Sequence, residues 1–230
     1  MKVCLVGSSG GHLTHLYMLK PFWKDKERFW VTFDKEDAKS MLKGEKVYPC
    51  YFPTNRNLKN LIKNTFVAWK VLRKEKPDLV IVDYTQLVTP SNTKESRERQ
   101  VAEISRELQQ MARDFDTTII QLSQLAEKGS GNFRPTGESY TRESRAIYHD
   151  SHIVIYIHRV TEEKELEKAY KSIPAFHERG SFEDIKATIE TRANSGIRFV
   201  EINVDKNRDG EPGSNFYWFK GSDLDYYSII

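Results

Sequence analysis

The sequence predicts an α/β fold: a doubly wound, mostly parallel three-layer sheet with a C-terminal β-hairpin. Short aliphatic runs, which are typical of buried parallel strands, alternate along the chain with longer segments whose apolar residues recur every three or four positions. That alternation is characteristic of a sheet covered by helices on both faces. Near the C-terminus, Asn207-Arg208-Asp209-Gly210 separates two further apolar runs and predicts a hairpin turn.

The composition excludes several classes of protein. The 230 residues are 38% hydrophobic and 12% aromatic, which excludes wholesale disorder and allows a substantial core. Two cysteines, Cys4 and Cys50, make no disulfide framework and indicate a reducing compartment. No signal peptide precedes the first strand-like run, and no stretch approaches the ~20 apolar residues of a membrane span. We therefore expect a soluble cytoplasmic protein.

In the first 82 residues, predicted strands and helices alternate. The first strand ends at a glycine-serine turn, after which Leu13, Leu16 and Leu19 recur at helical spacing. Pro53 closes the third strand and Pro77 ends the helix that precedes the fourth strand, because proline supplies no backbone N–H to either structure. The predicted strands span residues 2–7, 29–33, 47–52 and 79–82, and the two later helices span residues 38–42 and 58–74.

In the remainder of the chain, the clearest predicted helix covers residues 95–114. An apolar stripe runs along it between charged flanks, formed by Val101, Ile104, Leu108 and Met111. The polar stretch 128–148 is too long for an ordinary connection, which favours a functional loop. Strands are predicted at residues 117–122 and 153–157, a charged helix at 161–171, and hairpin strands at 197–204 and 215–219.

The predicted fourth strand delivers Asp83 to the carboxyl edge of the sheet. An aliphatic run that ends on an aspartate has the form of a Walker B segment, whose carboxylate holds the magnesium ion of a bound nucleotide. That chemistry also needs a G-x-x-x-x-G-K-[ST] loop, in which a lysine and backbone amides cradle the phosphates. The chain has no lysine between its first glycine turn and Lys20. Asp83 could equally cap the strand end and bond the neighbouring loop.

The glycine loop between the first strand and the first helix is a candidate phosphate site. Backbone amides at a helix amino terminus bind phosphate without a charged side chain, although a tight strand-to-helix turn would have the same composition. Without a lysine, the loop is not expected to support efficient transfer of a γ-phosphoryl group. The candidate phosphate-binding residues are Gly7, Ser8, Ser9, Gly10, Gly11 and His12.

Three stretches of the N-terminal part carry a family resemblance: residues 3–13, 30–38 and 51–57. They are similar to the amino-terminal half of CpsF/PssD-type polysaccharide biosynthesis proteins, relatives of the acceptor-side subunit of split GT-B glycosyltransferases. This resemblance covers residues 1 to about 80. It implies that the glycine loop faces a diphosphate-linked sugar acceptor or a nucleotide, with His12 nearby, and that a glycosyltransferase catalytic subunit is a partner.

Ordered motifs of the C-terminal part carry a second resemblance: residues 80–87, 101–111, 122–125, 141–144 and 206–210. They are similar to the second half of the RecA-like ATPase domain of DnaB-type replicative helicases, over residues from about 80 to 226. This resemblance implies Mg²⁺ with ATP as the cofactor and Asp83 as the metal ligand. The helicase's phosphate loop is missing, as is the acidic residue that activates water.

The helicase resemblance also implies roles for other polar residues. Gln124 resembles the sensor that couples the nucleotide site to the DNA loop, although a polar residue at a strand edge would look the same. Lys206 and Arg208 resemble a pair that reaches the ATP site of a neighbouring subunit, which implies self-association through the hairpin; in a monomer they form an exposed turn. With Asp83, these are the implied catalytic residues.

Four cations in and around the long polar stretch resemble the helicase segment that follows a single strand of DNA. Positive residues spaced among glycines suit an electrostatic groove along such a strand, and a solvated loop is the alternative. The four candidates are Lys128, Arg134, Arg142 and Arg145.

The two resemblances meet near residue 82 and predict a single Rossmann- or P-loop-like domain of two halves, residues 1–82 and 83–230. The first half carries 16 Lys and Arg against 8 Asp and Glu, and the second carries 20 against 25, which indicates either two surfaces with different partners or two segments with different histories. A chimera joined within a shared strand is the favoured explanation, and a natural divergent protein is the other. The parents differ in sheet order. The glycosyltransferase-like sheet places the glycine-loop strand beside the fourth strand, whereas the RecA-like sheet inserts the Gln-bearing strand between them.

Three functional hypotheses follow. The first is a DnaB-like module associated with nucleotide and single-stranded DNA, without efficient ATP hydrolysis. The second is a sugar-diphosphate-acceptor-binding subunit of a two-component glycosyltransferase. The third is an engineered chimera that folds but has no activity.

Overall fold

The computed structural model describes residues 1–52, 58–83, 97–124, 134–137 and 145–229. The chain forms two compact units. The first unit comprises Met1–Gln124 with Thr141–Asp150, and the second unit comprises Leu125–Tyr140 with Ser151–Ile230. Among the described residues, no helix combines the length and the apolar character needed to cross a membrane.

The first unit is an α/β sheet in which strands and helices alternate, as the sequence predicts. Its strands are β1 (Lys2–Gly7), β2 (Glu27–Phe33), β3 (Val47–Cys50), β4 (Leu79–Asp83) and β5 (Thr118–Gln121). Its helices are α1 (Gly11–Met18), α2 (Lys20–Trp23), α3 (Glu36–Met41), α4 (Leu58–Glu75), α5 (Arg97–Asp114) and α6 (Ala146–Asp150).

All four strand pairs of this sheet are parallel, in the order β3-β2-β1-β4-β5. Of the two orders considered from the sequence, the structure has the one in which the glycine-loop strand β1 lies beside β4. Strand β5 lies on the far side of β4 and is not inserted between them. The carboxyl ends of β1 and β4 are consequently neighbours, with Gly7 opposite Asp83.

Helices cover both faces of this sheet, which confirms the predicted three-layer, doubly wound architecture. Side chains that alternate along a strand point to opposite faces, and each face has its own core. One core contains Val3, Leu5, Leu13, Leu16, Trp23, Trp30, Ala38, Leu42 and Ile81, so α1, α2 and α3 lie on that face. The other contains Cys4, Phe29, Val31, Val71, Leu72, Val80, Val82 and Met111, so α4 and α5 lie opposite.

The second unit is an antiparallel sheet with helices on one face. Its elements are β6 (Ile153–Arg159), α7 (Glu163–Ser172), α8 (Pro174–Arg179), α9 (Phe182–Asn194), β7 (Ile197–Asn207), β8 (Gly213–Lys220) and β9 (Asp225–Ser228). The strand order is β6-β7-β8-β9, and every pair is antiparallel. The predicted C-terminal hairpin is therefore confirmed as β7 and β8, and β6 and β9 extend it to four strands.

The second unit has its own core, in which Phe199 of β7 and Trp218 of β8 are the central aromatic residues. The three helices contribute Leu166, Ala169, Phe176, Ile185 and Ile189. A separate core is the physical reason that these elements form a compact unit.

The boundary between the two units differs from the predicted junction at residue 82. Strand β5 pairs in parallel with β4, and α5 packs Met111 against the same core as Val80 and Val82. These contacts place residues 97–124 in the first unit. The division into halves 1–82 and 83–230, which rests on sequence resemblance, stays a prediction.

A buried ionic network ties the amino ends of β1 and β3 to the end of α4. The side chain of Glu75 is only 3% exposed. Lys2 Nζ donates to its carboxylate at 2.7 Å, Lys46 Nζ donates to both oxygens at 2.7–2.8 Å, and the Tyr48 hydroxyl donates a third interaction. These hydrogen bonds lower the pKa of Glu75 to about 2. Glu75 is thus a buried, negatively charged residue near the amino ends of the strands, whereas Asp83 lies at their carboxyl ends.

Candidate functional site

The glycine loop begins where β1 and β4 end side by side. Gly7 is the last residue of β1, and a Cβ atom at this position would lie 2.8 Å from Leu16 Cδ1 and 3.5 Å from the Asp83 carbonyl oxygen. Glycine at position 7 therefore lets α1 pack closely over the strand ends. The loop is short because β1 leads into α1 within four residues.

Gly10 gives the loop its backbone conformation. It has φ 85° and ψ −141°, a region that residues with a Cβ rarely adopt. Its carbonyl accepts hydrogen bonds from the backbone N–H and the hydroxyl of Thr14, at 3.1 and 3.2 Å. A Cβ atom built at Gly10 or Gly11 meets nothing within 4 Å. Among the described residues, none therefore fills the space next to these two glycines, and a ligand can approach the start of α1 there.

Asp83 lies beside this loop and is held there by His12. The aspartate is the last residue of β4 and is buried, and His12 Nδ1 lies 3.1 Å from its Oδ1. His15 follows one turn along α1, with its ring centroid 6.3 Å from that of His12. One ligand atom from each of the three residues lies within 4.8 Å of the others. The structure thus brings together the predicted glycine loop, His12 and Asp83.

Gln124 lies near the same edge of the sheet. Strand β5 ends at Gln121, and the Leu122 N–H donates to the Val82 carbonyl at 3.0 Å, so the chain leaves β5 next to the end of β4. Gln124 follows as an exposed residue.

Arg134 is engaged by a buried carboxylate. Its Nε and one terminal nitrogen each donate to Glu201 at 2.7 Å, and the Glu201 side chain is 3% exposed. Such a bidentate pair occupies the face of the guanidinium that a phosphate would use. Arg134 therefore already uses two of its donors for Glu201, and its contact with DNA stays a prediction.

Two acid–base groups surround this pair. His158 Nε2 lies 3.5 Å from Glu165 and 3.5 Å from Glu201. Burial lowers the pKa of His158 and raises the pKa of Glu165. Burial is the largest single influence on the pKa of Glu201 and acts to raise it, but hydrogen bonds from Arg134 and Ser214 together with the charges of Arg134 and His158 lower that pKa overall. A negative Glu201 paired with Arg134 is the arrangement these shifts favour.

Of the remaining predicted residues, Arg145 belongs to the first unit, and Lys206 and Arg208 belong to the second. Lys206 is in β7 opposite Val154, and Arg208 begins the hairpin turn, where its N–H donates to the His152 carbonyl at 3.1 Å. Arg145 is exposed just before α6. Lys128 and Arg142 lie outside the described residues.

His15 is the one member of the Asp83 cluster that was not predicted. Its signal in the sequence is the spacing His12-x-x-His15, because residues three apart share one face of a helix. What the sequence does not contain is the pairing of β1 with β4, which brings Asp83 to that face.

The donor set decides what chemistry the site can perform. Backbone amides at the start of α1 can bind phosphate oxygens, and the Asp83 carboxylate can hold a cation. No lysine stands within the loop, so the group that normally contacts the β- and γ-phosphates is missing from it. The geometry therefore suits binding of a phosphate-bearing ligand better than phosphoryl transfer.

A family model described as the DnaB-like helicase C terminal domain matches residues 40–226 of the chain. Curated relatives include the Replicative DNA helicase DnaB of Helicobacter pylori, which is 31% identical over 157 residues, covering 61% of this chain and 30% of the relative. The Probable plasmid replicative DNA helicase of Chlamydia psittaci is 30% identical over 128 residues, covering 54% and 26%. The chain thus spans about 30% or less of the length of these relatives.

Solved structures show the same fold at low sequence identity. The structure of an isolated ATPase domain aligns over 99% of this chain and 74% of that chain, with a TM-score of 0.55 and 21% identity. The structure of a DnaB-like replicative helicase, described together with its interactions with primase, covers 99% of this chain and 50% of its own, with a TM-score of 0.54 and 21% identity. Both are RecA-like, which agrees with the predicted fold class.

The range of the family match bears on the predicted junction. The match starts at residue 40, well before residue 82, and continues through the second unit. The comparisons therefore lend no support to a CpsF/PssD-type segment over residues 1 to about 80, or to a join near residue 82.

Proposed function

The chain belongs to the family of DnaB-like helicase C-terminal domains, and from that premise we propose that it binds the phosphates of a nucleotide without hydrolysing ATP efficiently. One observation carries the proposal: the open glycine loop and the Asp83 carboxylate lie side by side at the carboxyl edge of the five-stranded sheet. This is the edge at which ligands of open parallel sheets bind.

The composition of the glycine loop explains why we expect it to bind the phosphates of ATP but not to hydrolyse ATP efficiently. Backbone N–H groups and the positive end of the α1 dipole attract phosphate oxygens whatever the side chains are. Hydrolysis needs additional positive charge on the oxygens of the γ-phosphate as the bond breaks. The loop from Gly7 to His12 supplies no lysine for that purpose.

The proposed cofactor is Mg²⁺ with ATP, held through Asp83. Mg²⁺ in nucleotide sites is bound by one or two carboxylates together with waters and phosphate oxygens, and Asp83 supplies one such carboxylate. A bound Mg²⁺ ion neutralises negative charge on the phosphates. Gln124, exposed after β5, is proposed as a polar contact near the same edge.

We further propose association with single-stranded DNA and with other copies of the chain. The proposed DNA contacts are Lys128, Arg134, Arg142 and Arg145, of which Arg134 also pairs with Glu201. Lys206 and Arg208 are the proposed contacts to a second copy. The names of the relatives, which are replicative helicases, support these partners.

Replacing Gly10 with alanine is expected to weaken ATP binding about tenfold, or by about 1.4 kcal/mol. Alanine at φ 85° is strained by an estimated 1–3 kcal/mol, so the loop must change its backbone and redirect its amides. Gly44→Ala is the matched control, because Gly44 has φ 86° in the turn before β3, away from the loop. Calorimetric titration with ATP measures both variants. Equal binding by Gly10→Ala and the wild type would refute the loop as the phosphate site.

Replacing Arg208 with alanine is expected to reduce self-association of the chain and leave its folding intact. Arg208 is exposed in the hairpin turn, so its loss removes charge without opening a core. Arg198→Ala is the control, since Arg198 is an exposed arginine at the other end of the same strand. Sedimentation velocity over a range of concentrations measures the assembly. The role of the hairpin in self-association would be refuted if the wild-type chain stays monomeric. It would also be refuted if both variants assemble equally.

Binding of a sugar diphosphate is a second candidate function, favoured by one observation. Strand β1 lies directly beside β4, the order expected for a glycosyltransferase-like sheet. A glycine loop that binds phosphates by backbone alone would accept the diphosphate of a sugar carrier, beside a separate catalytic subunit. Titration with a sugar nucleotide next to ATP separates the two functions. If neither ligand binds, the chain folds without either function, as the chimera hypothesis states.

A further inference from the structure

We propose that His12, His15 and Asp83 form a binding site for a divalent transition-metal ion of the Zn²⁺, Co²⁺ and Ni²⁺ class. This inference does not rest on the proposed nucleotide function, because it concerns side chains and not the backbone amides of the loop. It shares Asp83 with the magnesium proposal but adds two imidazole ligands and concerns a different class of ion.

The three side chains already converge. His12 Nδ1 and Asp83 Oδ1 are 3.1 Å apart, and one ligand atom of each residue, including His15, lies within 4.8 Å of the others. Metal–ligand bonds of ~2.0–2.1 Å at tetrahedral angles place ligand atoms about 3.4 Å apart. In the proposed site, the exposed His15 side chain rotates to bring its ligand atom closer to those of His12 and Asp83.

The main-chain structure holds the ligands in place. Asp83 is buried at the end of β4, and the pairing of Gly7 with Asp83 fixes it beside the start of α1. His12 and His15 are three residues apart on that helix, so their side chains leave the same face. A site on a helix and a strand end is more rigid than one on a loop.

The ligand types select the class of metal. Imidazole nitrogens suit Zn²⁺, Co²⁺ and Ni²⁺, whereas Mg²⁺ is a hard cation that prefers oxygen ligands. Two imidazoles and one carboxylate resemble the three-ligand sets of zinc sites that keep a further position open. A metal here would therefore retain a position for water or for an anionic ligand.

The test uses the untagged full chain, stripped of metal with a chelator and kept free of nucleotide. Titration with Co²⁺ is expected to produce visible absorption from a low-coordinate site, and Zn²⁺ is expected to displace the Co²⁺. His15→Ala should lower the affinity for Zn²⁺ at least ~10-fold, since loss of an outer partner of a metal ligand alone costs 10–100-fold. His152→Ala, at an exposed histidine of the second unit, should leave the affinity unchanged.

Two results would overturn the proposal: no wild-type binding at concentrations on the order of 0.1 mM, or equal affinity of His15→Ala and His152→Ala. If His15→Ala does not fold, the test uses NMR of the wild type, in which Co²⁺ is expected to shift the signals of two of the six histidines. If Co²⁺ shifts no histidine signal, the site is refuted. ATP binding is measured separately on the metal-stripped chain with only Mg²⁺ added back. A failure of metal binding can therefore be distinguished from a failure of ATP binding.

Discussion

Replacing Arg134 with methionine is expected to lower the free energy of unfolding of the second unit by about 3–5 kcal/mol, the cost of leaving one partner of a buried ion pair uncompensated. Glu201 is 3% exposed and receives two hydrogen bonds of 2.7 Å from Arg134. Without the guanidinium, its carboxylate stays buried beside Glu165, which carries the same charge when ionised. Hydrogen exchange of the amides of β7 and β8 reports this unit separately.

A second substitution at Glu201 provides the control. Glu201→Gln removes the buried charge, so the variant with both Arg134→Met and Glu201→Gln should be more stable than Arg134→Met alone. Independent sites add within about 0.5 kcal/mol. If the double variant is destabilised by the sum of the two single effects, the pair is not coupled and the structural role of Arg134 is refuted.

Replacing Glu75 with glutamine is expected to destabilise the first unit by about 3 kcal/mol, the lower end of the range for a broken buried ion pair, because Lys46 is half exposed. Glu27→Gln is the matched control, since Glu27 bonds the same Lys2 at 2.9 Å but is 67% exposed. Such a surface pair contributes about 0–1 kcal/mol. Urea denaturation at neutral pH measures both variants, and similar costs would contradict the role of burial.

The same network predicts how stability depends on pH. The pKa of Glu75 is lowered to about 2 from the ordinary 4.5, because hydrogen bonds from Lys2, Lys46 and Tyr48 stabilise its carboxylate. Its contribution is therefore fully present above pH 4.5 and is lost as the pH falls through about 2. The difference in stability between the wild type and Glu75→Gln should narrow over that range. A difference that stays constant with pH would show that ionisation of Glu75 is not its source.

The sequence predicted the local parts of the site well. A glycine turn after an aliphatic run and an aspartate at the end of another are local patterns, and the structure places both at one edge of the sheet. The neighbour of β4 could not be predicted, because either sheet order delivers Asp83 to the carboxyl edge. Strand order depends on contacts between residues far apart in the chain.

Two elements show where periodicity misleads or is overlooked. Residues 153–157 form a continuous apolar run, typical of a strand buried on both faces, yet β6 is antiparallel to β7, and Ile153, Ile155 and Ile157 are exposed. Helix α9 was not predicted, although Ser181 and Asp184 form a capping box at its start. Only two isoleucines of this helix are buried, and the polar residues around them make its apolar periodicity weak in the sequence.

Arg134 illustrates a different limit. A cation among glycines looks the same in the sequence whether it faces DNA or a buried carboxylate. Its partner Glu201 is 67 residues away, so only the folded unit reveals the pair.

The most direct test of the central proposal measures ATP binding and phosphate release on one sample of the untagged full chain with Mg²⁺. The open glycine loop beside Asp83 predicts that ATP binds with a dissociation constant below about 1 mM. The absence of a lysine from that loop predicts that phosphate is released no faster than in a blank without protein. Sustained phosphate release that single-stranded DNA accelerates, or no ATP binding in this range, would contradict the account.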